Sequence, residues 1–230
     1  MSGAIDGLRI VRERISSACE RSGRQGSDVC LLAVSKRFPC EVIESVHEAG
    51  QVDFGESRQQ EGAEKVLALP ETIRWHFIGK LQRNKVRKVL KDFPVIHSVD
   101  SLKLAAYMDR IAAEMEVTPD VYLEINQAGE ERKGGFSKEM LEAEFDQLLE
   151  LNNINVIGFM SIPPVSGSAE DSRPWFRELR LLRDRFEERF DCSLPGLSMG
   201  MSGDFEVAIE EGSTVVRVGS GIFGQRPMEK

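Results

Sequence analysis

Three stretches of this chain carry residue types that could do chemistry together. Lys36 closes the run Val29-Cys-Leu-Leu-Ala-Val-Ser-Lys36, which is otherwise apolar and strand-like. Side chains alternate along a strand, so Cys30, Leu32, Val34 and Lys36 share one face. A lysine drawn into a buried face loses solvation, its pKa falls, and the free amine can attack a carbonyl. Taken alone, Lys36 also fits an ordinary strand-end lysine that reaches back to water. Arg217 lies in Val215-Val-Arg-Val-Gly219 between β-branched neighbours and shares a face with Val215 and Gly219. A buried guanidinium needs an acceptor. Two kinds remain open: the ring nitrogen of a bound group, or a carboxylate of the chain such as Glu56 or Glu124.

The third stretch is Leu197-Ser-Met-Gly-Met-Ser-Gly-Asp204. Ser198, Gly200, Ser202 and Gly203 precede a short expected helix. Small residues let backbone N–H groups approach an anion, and a helix start favours negative charge. Gly219-Ser220-Gly221 offers a second cradle of the same kind. The alternative is a pair of ordinary strand-to-helix turns with a serine cap. An amine, an inward arginine and two anion-ready segments suit a phosphorylated aldehyde. Pyridoxal 5′-phosphate (PLP) is the leading candidate, because arginine is a known partner for its ring nitrogen. Met160 and Pro163 could wall the pocket or serve the core. His76, on a strand face with Ile78, reads as a satisfied core residue without a catalytic role. No metal is expected: His47, His76 and His97 stand far apart, with no ligand pair at metal-site spacing.

Positioning these residues requires a particular order of elements. Leu8, Val11, Ile15 and Ala18 recur at helical spacing, predicting an N-terminal helix over about 4–22. Strands are expected at 29–35, 51–55, 73–79, 94–98, 121–126, 156–160, 195–198 and 214–218. Helices or helical turns follow each one, including 57–69, 81–91, 102–115, 138–151, 173–190 and 204–211. In the 173–190 helix, Phe176, Leu179, Leu182, Phe186 and Phe190 form one stripe. Eight β/α units predict an α/β fold of the (β/α)8 TIM-barrel type, in which Lys36, Arg217 and the two Gly/Ser segments reach the C-terminal strand ends. A doubly wound open sheet competes, but the Gly-rich loop after its first strand is absent.

Composition narrows the function classes. The 230 residues are 41% hydrophobic and 30% charged, as in a soluble globular chain, and the net charge of -8 argues against a nucleic-acid or acidic-membrane binder. The basic run Lys80, Arg83, Lys85, Arg87, Lys88 and Lys91 has no interleaved aromatics and reads as a solvated helix. No apolar run approaches the roughly 20 residues of a membrane span, and the start lacks a signal-peptide pattern. The four cysteines form no CxxC pair. A cytoplasmic protein, acting as a monomer, is expected.

Taken in order, these motifs resemble the YggS/PROSC family of PLP-binding proteins, also called PLP homeostasis proteins. The resemblance is carried by Leu31-Leu-Ala-Val-Ser-Lys36, Asp53-Phe-Gly-Glu56, Trp75-His-Phe-Ile-Gly79 with Leu81-Gln82 and Asn84-Lys85, His97-Ser-Val-Asp-Ser101, Leu197–Asp204, and Val216-Arg-Val-Gly219 with Ile222-Phe-Gly224. It implies one PLP-binding barrel domain over 1–230, resembling the N-terminal domain of alanine racemase. It also implies a Schiff base between PLP and Lys36, Arg217 facing the pyridine nitrogen, and phosphate contacts from Ser198, Ser202, Gly219 and Ser220. The family usually has asparagine near the cofactor where Ser57 stands, so Ser57 would make a weaker or water-mediated contact. Ser220 replaces a more usual threonine and keeps the hydroxyl.

The expected function is therefore intracellular PLP homeostasis without established catalysis, with apo-PLP enzymes as recipients. The chain ends six residues after Gly224, so no second domain of the racemase type is expected. Its only tyrosines, Tyr107 and Tyr122, are poorly placed as a second acid/base. The alternatives are a weak PLP-dependent racemase or lyase, and a phosphate-binding barrel with an aldolase-type lysine.

Overall fold

The computed structural model describes residues 2–130, 134–165 and 167–225. Eight parallel strands follow one another around a closed barrel: β1 (Cys30–Val34), β2 (Asp53–Glu56), β3 (Arg74–Phe77), β4 (Val95–Val99), β5 (Asp120–Glu124), β6 (Asn155–Met160), β7 (Gly196–Met201) and β8 (Val215–Val218). β8 closes the ring onto β1, with Leu32 opposite Arg217. A helix follows each strand: α2 (Cys40–Glu48), α3 (Gln59–Ala68), α4 (Val86–Asp92), α5 (Leu102–Met115), α6 (Lys138–Leu149), α7 (Arg173–Phe190), α8 (Phe205–Glu210) and α9 (Ser220–Phe223). The expected barrel is the observed one.

Strand alternation divides the apolar residues into two sets. Phe54, Trp75, Phe77, Ile96, Leu123, Phe159 and Leu197 point outward into the main core under the helices. Leu32, Val95, Tyr122, Met160 and Val215 point inward as a separate cluster. Phe145 of α6 stacks edge-on against Phe186 of α7 at 4.8 Å, and Phe186 meets Phe159 of β6 at 5.7 Å. These rings fasten two helices to one strand. The first helix, α1 (Ser2–Arg21), lies against α8 and α9. Its stripe Leu8, Val11 and Ile15 is buried as the spacing predicted, each side chain contributing about 1.5–3 kcal/mol.

Two local expectations are corrected. The strand expected to end at Ser198 does not stop there, because β7 continues to Met201 through a register shift against β8. Gly200 absorbs the irregularity at φ +93, and a Cβ there would meet the Ala208 Cβ of α8 at 2.6 Å. Only Ser202 and Gly203 remain in the turn before α8. The helix expected from Leu81 begins instead with a 3-10 turn, Arg83–Lys85, and α4 starts at Val86. The buried stripe Val86, Val89 and Leu90 begins there, and the five-residue gap back to Leu81 breaks helical spacing.

β6 and β7 approach closely at paired glycines. A Cβ on Gly158 would stand 1.9 Å from the Gly196 carbonyl oxygen, and one on Gly196 would stand 2.5 Å from the Tyr122 ring. Backbone cannot yield as a flexible side chain can. Gly158→Ala is expected to cost about 3 kcal/mol, read as a lower midpoint of urea unfolding. A loss below about 1 kcal/mol would show that the two strands can part there without penalty.

Candidate functional site

The C-terminal mouth of the barrel holds a cavity of about 280 Å³, close to the lower end of small-molecule sites at about 300 Å³. Lys36 reaches it from the turn after β1, Arg217 from β8, Ser202 from the turn after β7, and Gly219 and Ser220 from the turn after β8. Val34, Ile78 and Met160 supply apolar wall, and the buried His97 also lines it. Residues distant in sequence meet here because every βα turn of a barrel opens at the same end.

Two expected site residues lie elsewhere. Ser57 lines a separate, more open groove of about 540 Å³ with Arg58, Phe77, Lys80 and Lys85. Ser198 is fully buried below the cavity. Glu56 points outward to Lys65 of α3 rather than to Arg217. Pro163 belongs to an adjoining cavity with Asn126 and Glu124. Strand periodicity alone did not separate these cases, since register shifts and the loop paths decide them.

Arg217 is 5% exposed, and no carboxylate pairs with it among the described residues. Instead Nη1 donates to the Ser198 carbonyl at 2.6 Å and to its hydroxyl at 2.7 Å, and Nη2 donates to the Ser161 carbonyl at 2.9 Å. Burial pushes its pKa down to about 10, against weaker support from Asp204, Glu124 and Tyr122. The guanidinium therefore stays charged at neutral pH, and it faces a cavity with spare donor capacity.

Behind Arg217 a polar chain crosses the barrel interior. His97 Nδ1 is 2.8 Å from the Ser198 hydroxyl, His97 Nε2 is 2.9 Å from His76 Nδ1, and His76 Nε2 is 3.0 Å from the Asp53 carboxylate. One polarity uses every hydrogen. Ser198 accepts from Arg217 and donates to His97, His97 donates to His76, and His76 donates to Asp53. Both histidines are then neutral with the proton on Nε2. Tyr122 stacks on His97 at 4.4 Å and closes the layer. His76 is thus a satisfied interior residue, as expected from its strand face. His97 belongs to one of the stretches that carry the family resemblance, but the sequence assigns it no site role, because Val95-Ile-His-Ser-Val99 reads as an apolar strand interrupted by a polar pair.

The rim carries donors for an anion. The Gly219 and Gly221 N–H groups both point at the Ser202 hydroxyl, each at 3.3 Å. Ser220 is exposed beside them, and a Cβ on Gly203 would meet nothing within 4 Å. The two N–H groups fix the Ser202 oxygen, and the Ser202 and Ser220 hydroxyls at the open rim are the donors that remain for an anion such as phosphate. A ring-nitrogen acceptor would in turn meet the unpaired charge of Arg217. The residues present fit a phosphorylated pyridine aldehyde at Lys36.

The buried histidines set a pH dependence. Burial lowers His76, opposed by its bond to Asp53, and burial holds His97 well below 6.5, reinforced by His76 and Arg217. Burial acting alone would raise Asp53, but the His76 hydrogen bond and charge, the Cys30 thiol and Arg74 together outweigh it and keep the carboxyl low. Below pH 6.5 the unfolded chain binds protons that the folded protein refuses, so stability falls on acidification. The slope is up to about 1.4 kcal/mol per pH unit for each histidine. His97→Gln should remove about one proton from that slope between about pH 7 and 5, measured by urea unfolding across the range. An unchanged slope would mean that His97 titrates normally in the folded protein.

Comparisons with known proteins bear on this geometry. Residues 10–227 match the family model of the alanine racemase N-terminal domain. A pyridoxal phosphate homeostasis protein of Aquifex aeolicus is 46% identical over 224 residues, covering 97% of this chain and 98% of its own length. The structure of PipY from Synechococcus elongatus, with PLP bound, superposes with a TM-score of 0.82 at 38% identity, covering 93% of this chain and 100% of that one. A Clostridium difficile alanine racemase gives a TM-score of 0.74 at 18% identity, covering 97% of this chain and 61% of its own, which is a likeness of fold. Among the described residues, no helix is long and apolar enough to cross a membrane. On full-length identity and a shared barrel, the chain belongs to the pyridoxal phosphate homeostasis protein family.

Proposed function

We propose that this chain binds PLP at the mouth of its barrel and acts in PLP homeostasis as a carrier or regulator rather than through turnover. One observation carries the reading. Lys36 and Arg217 line the same cavity, and the guanidinium there has no carboxylate partner among the described residues. Lys36 would hold the aldehyde carbon through its amine. Arg217 would donate to the ring nitrogen. Ser202 and Ser220 would hold the phosphate, Gly219 would place the Ser202 hydroxyl through its N–H, and Met160 would serve as wall. Ser198 serves by holding Arg217, and Ser57 stands outside this set.

When bound, PLP supplies an aldehyde conjugated to an electron-withdrawing ring. Arg217 keeps its own proton at neutral pH and leaves the ring nitrogen unprotonated, which weakens that withdrawal and favours holding over chemistry. The tyrosines support the same view. Tyr122 is buried in the barrel interior, where burial raises its hydroxyl pKa, and Tyr107 lies under Arg83 and Arg110 on α5. Neither lines the cavity. Apo-PLP enzymes are the recipients this reading calls for. The relatives are likewise named for homeostasis rather than for a reaction.

The test is the visible spectrum of purified protein with added PLP, for wild type and Lys36→Ala, before and after borohydride. Wild type should turn yellow, borohydride should fix a pyridoxyl group on the Lys36 peptide, and Lys36→Ala should do neither. A colourless wild type would remove PLP from the site. Racemisation of amino acids that disappears in Lys36→Ala would replace the carrier by an enzyme.

A further inference from the structure

Lys36 sits between two residues that are fastened from outside the cavity. Lys65 of α3 is 5% exposed. Its ammonium donates to the Ser35 carbonyl at 3.0 Å, to Glu56 Oε1 at 2.7 Å and to Glu61 Oε1 at 2.7 Å. Three donors thus meet three acceptors. The Ser35 hydroxyl donates to the same Glu56 oxygen at 2.7 Å. On the other side of Lys36, the Arg37 N–H donates to the same Glu61 oxygen at 2.5 Å. Arg37 holds φ +68, a left-handed conformation that non-glycine residues avoid.

We propose that Lys65, Glu56 and Glu61 are positioning residues that clamp the Ser35–Arg37 turn and so aim the Lys36 amine into the cavity. The inference rests on Lys36 being the anchoring amine. None of the three lines the cavity, so they act through the turn. Stability alone gives little reason for the arrangement. A buried ion pair is seldom better than apolar packing of the same volume, and Glu56 Oε2 has no hydrogen-bond partner. The contacts instead converge on the two peptides that flank Lys36. They hold Arg37 in a conformation it would otherwise leave. A strained turn persists only when its surroundings over-determine it, and an amine held in place binds without an ordering cost.

Glu61 gives the cleanest test, because its side chain is 23% exposed and its removal leaves the Lys65–Glu56 pair intact. PLP would be titrated into wild type, Glu61→Gln and Glu61→Ala, reading the Lys36-linked visible band, with thermal unfolding of the PLP-free proteins alongside. Glu61→Gln keeps an acceptor for both Arg37 N–H and Lys65 and should bind close to wild type. Glu61→Ala should raise the PLP dissociation constant about tenfold, the weight of one hydrogen bond to a charged group, with an unfolding midpoint matching that of Glu61→Gln. Wild-type affinity in Glu61→Ala would overturn the clamp. So would equal losses in both variants, which would assign the effect to charge. A wild type that forms no band would defeat the Lys36 reading itself, and that failure is visible before any variant is compared.

Discussion

The organising constraint is a guanidinium buried inside a parallel barrel without a carboxylate beside it. Desolvating a charge is costly unless it is fully hydrogen-bonded. The barrel answers with Ser161 just past the end of β6, with Ser198 inside β7, and with two histidines behind them. The negative end of the chain, Asp53, lies at the start of β2, toward the opposite end of the barrel. Separating the charges in this way leaves Arg217 oriented by the fold and still available to a ligand. A direct Arg217–carboxylate pair would have closed the cavity.

That polar interior constrains the packing around it. Tyr122 stacks on His97, which requires Gly196 beside the ring, and Gly196 in turn sits against Gly158. The inward apolar cluster is accordingly small, and most of the apolar core lies outside the strands under the helices. The interior is specified by hydrogen-bond geometry and close backbone approach more than by apolar burial. The Gly/Ser turns at the mouth can then stay open, because the barrel beneath them is held independently.

The site has a second support that differs in kind. Arg217 is held from within the barrel, through side chains on β3, β4 and β7. The turn bearing Lys36 is held from outside, through α3. The two chemical groups therefore depend on separate networks that meet only at the cavity. Preorganisation of this sort is what a small site needs to bind a rigid ligand without an ordering cost.

Much of this was legible in the chain itself. Period-two and period-3.6 patterns, with turn residues between them, determined the eight β/α units and the inward faces of Lys36 and Arg217, because the side-chain direction of an isolated element follows from its period. The residue types at those positions determined the chemistry of an amine and a cation beside small-residue turns. The tertiary structure decided what periodicity cannot encode. A register shift between β7 and β8, past Ser198, accompanies the extension of β7 to Met201, and Ser198 is fully buried within that strand. The loop paths put Ser57 in a neighbouring groove. The partners of Lys65, Glu56 and Arg37 come from different elements. Such contacts depend on where strands stand relative to one another, a property of the closed barrel rather than of any segment read alone.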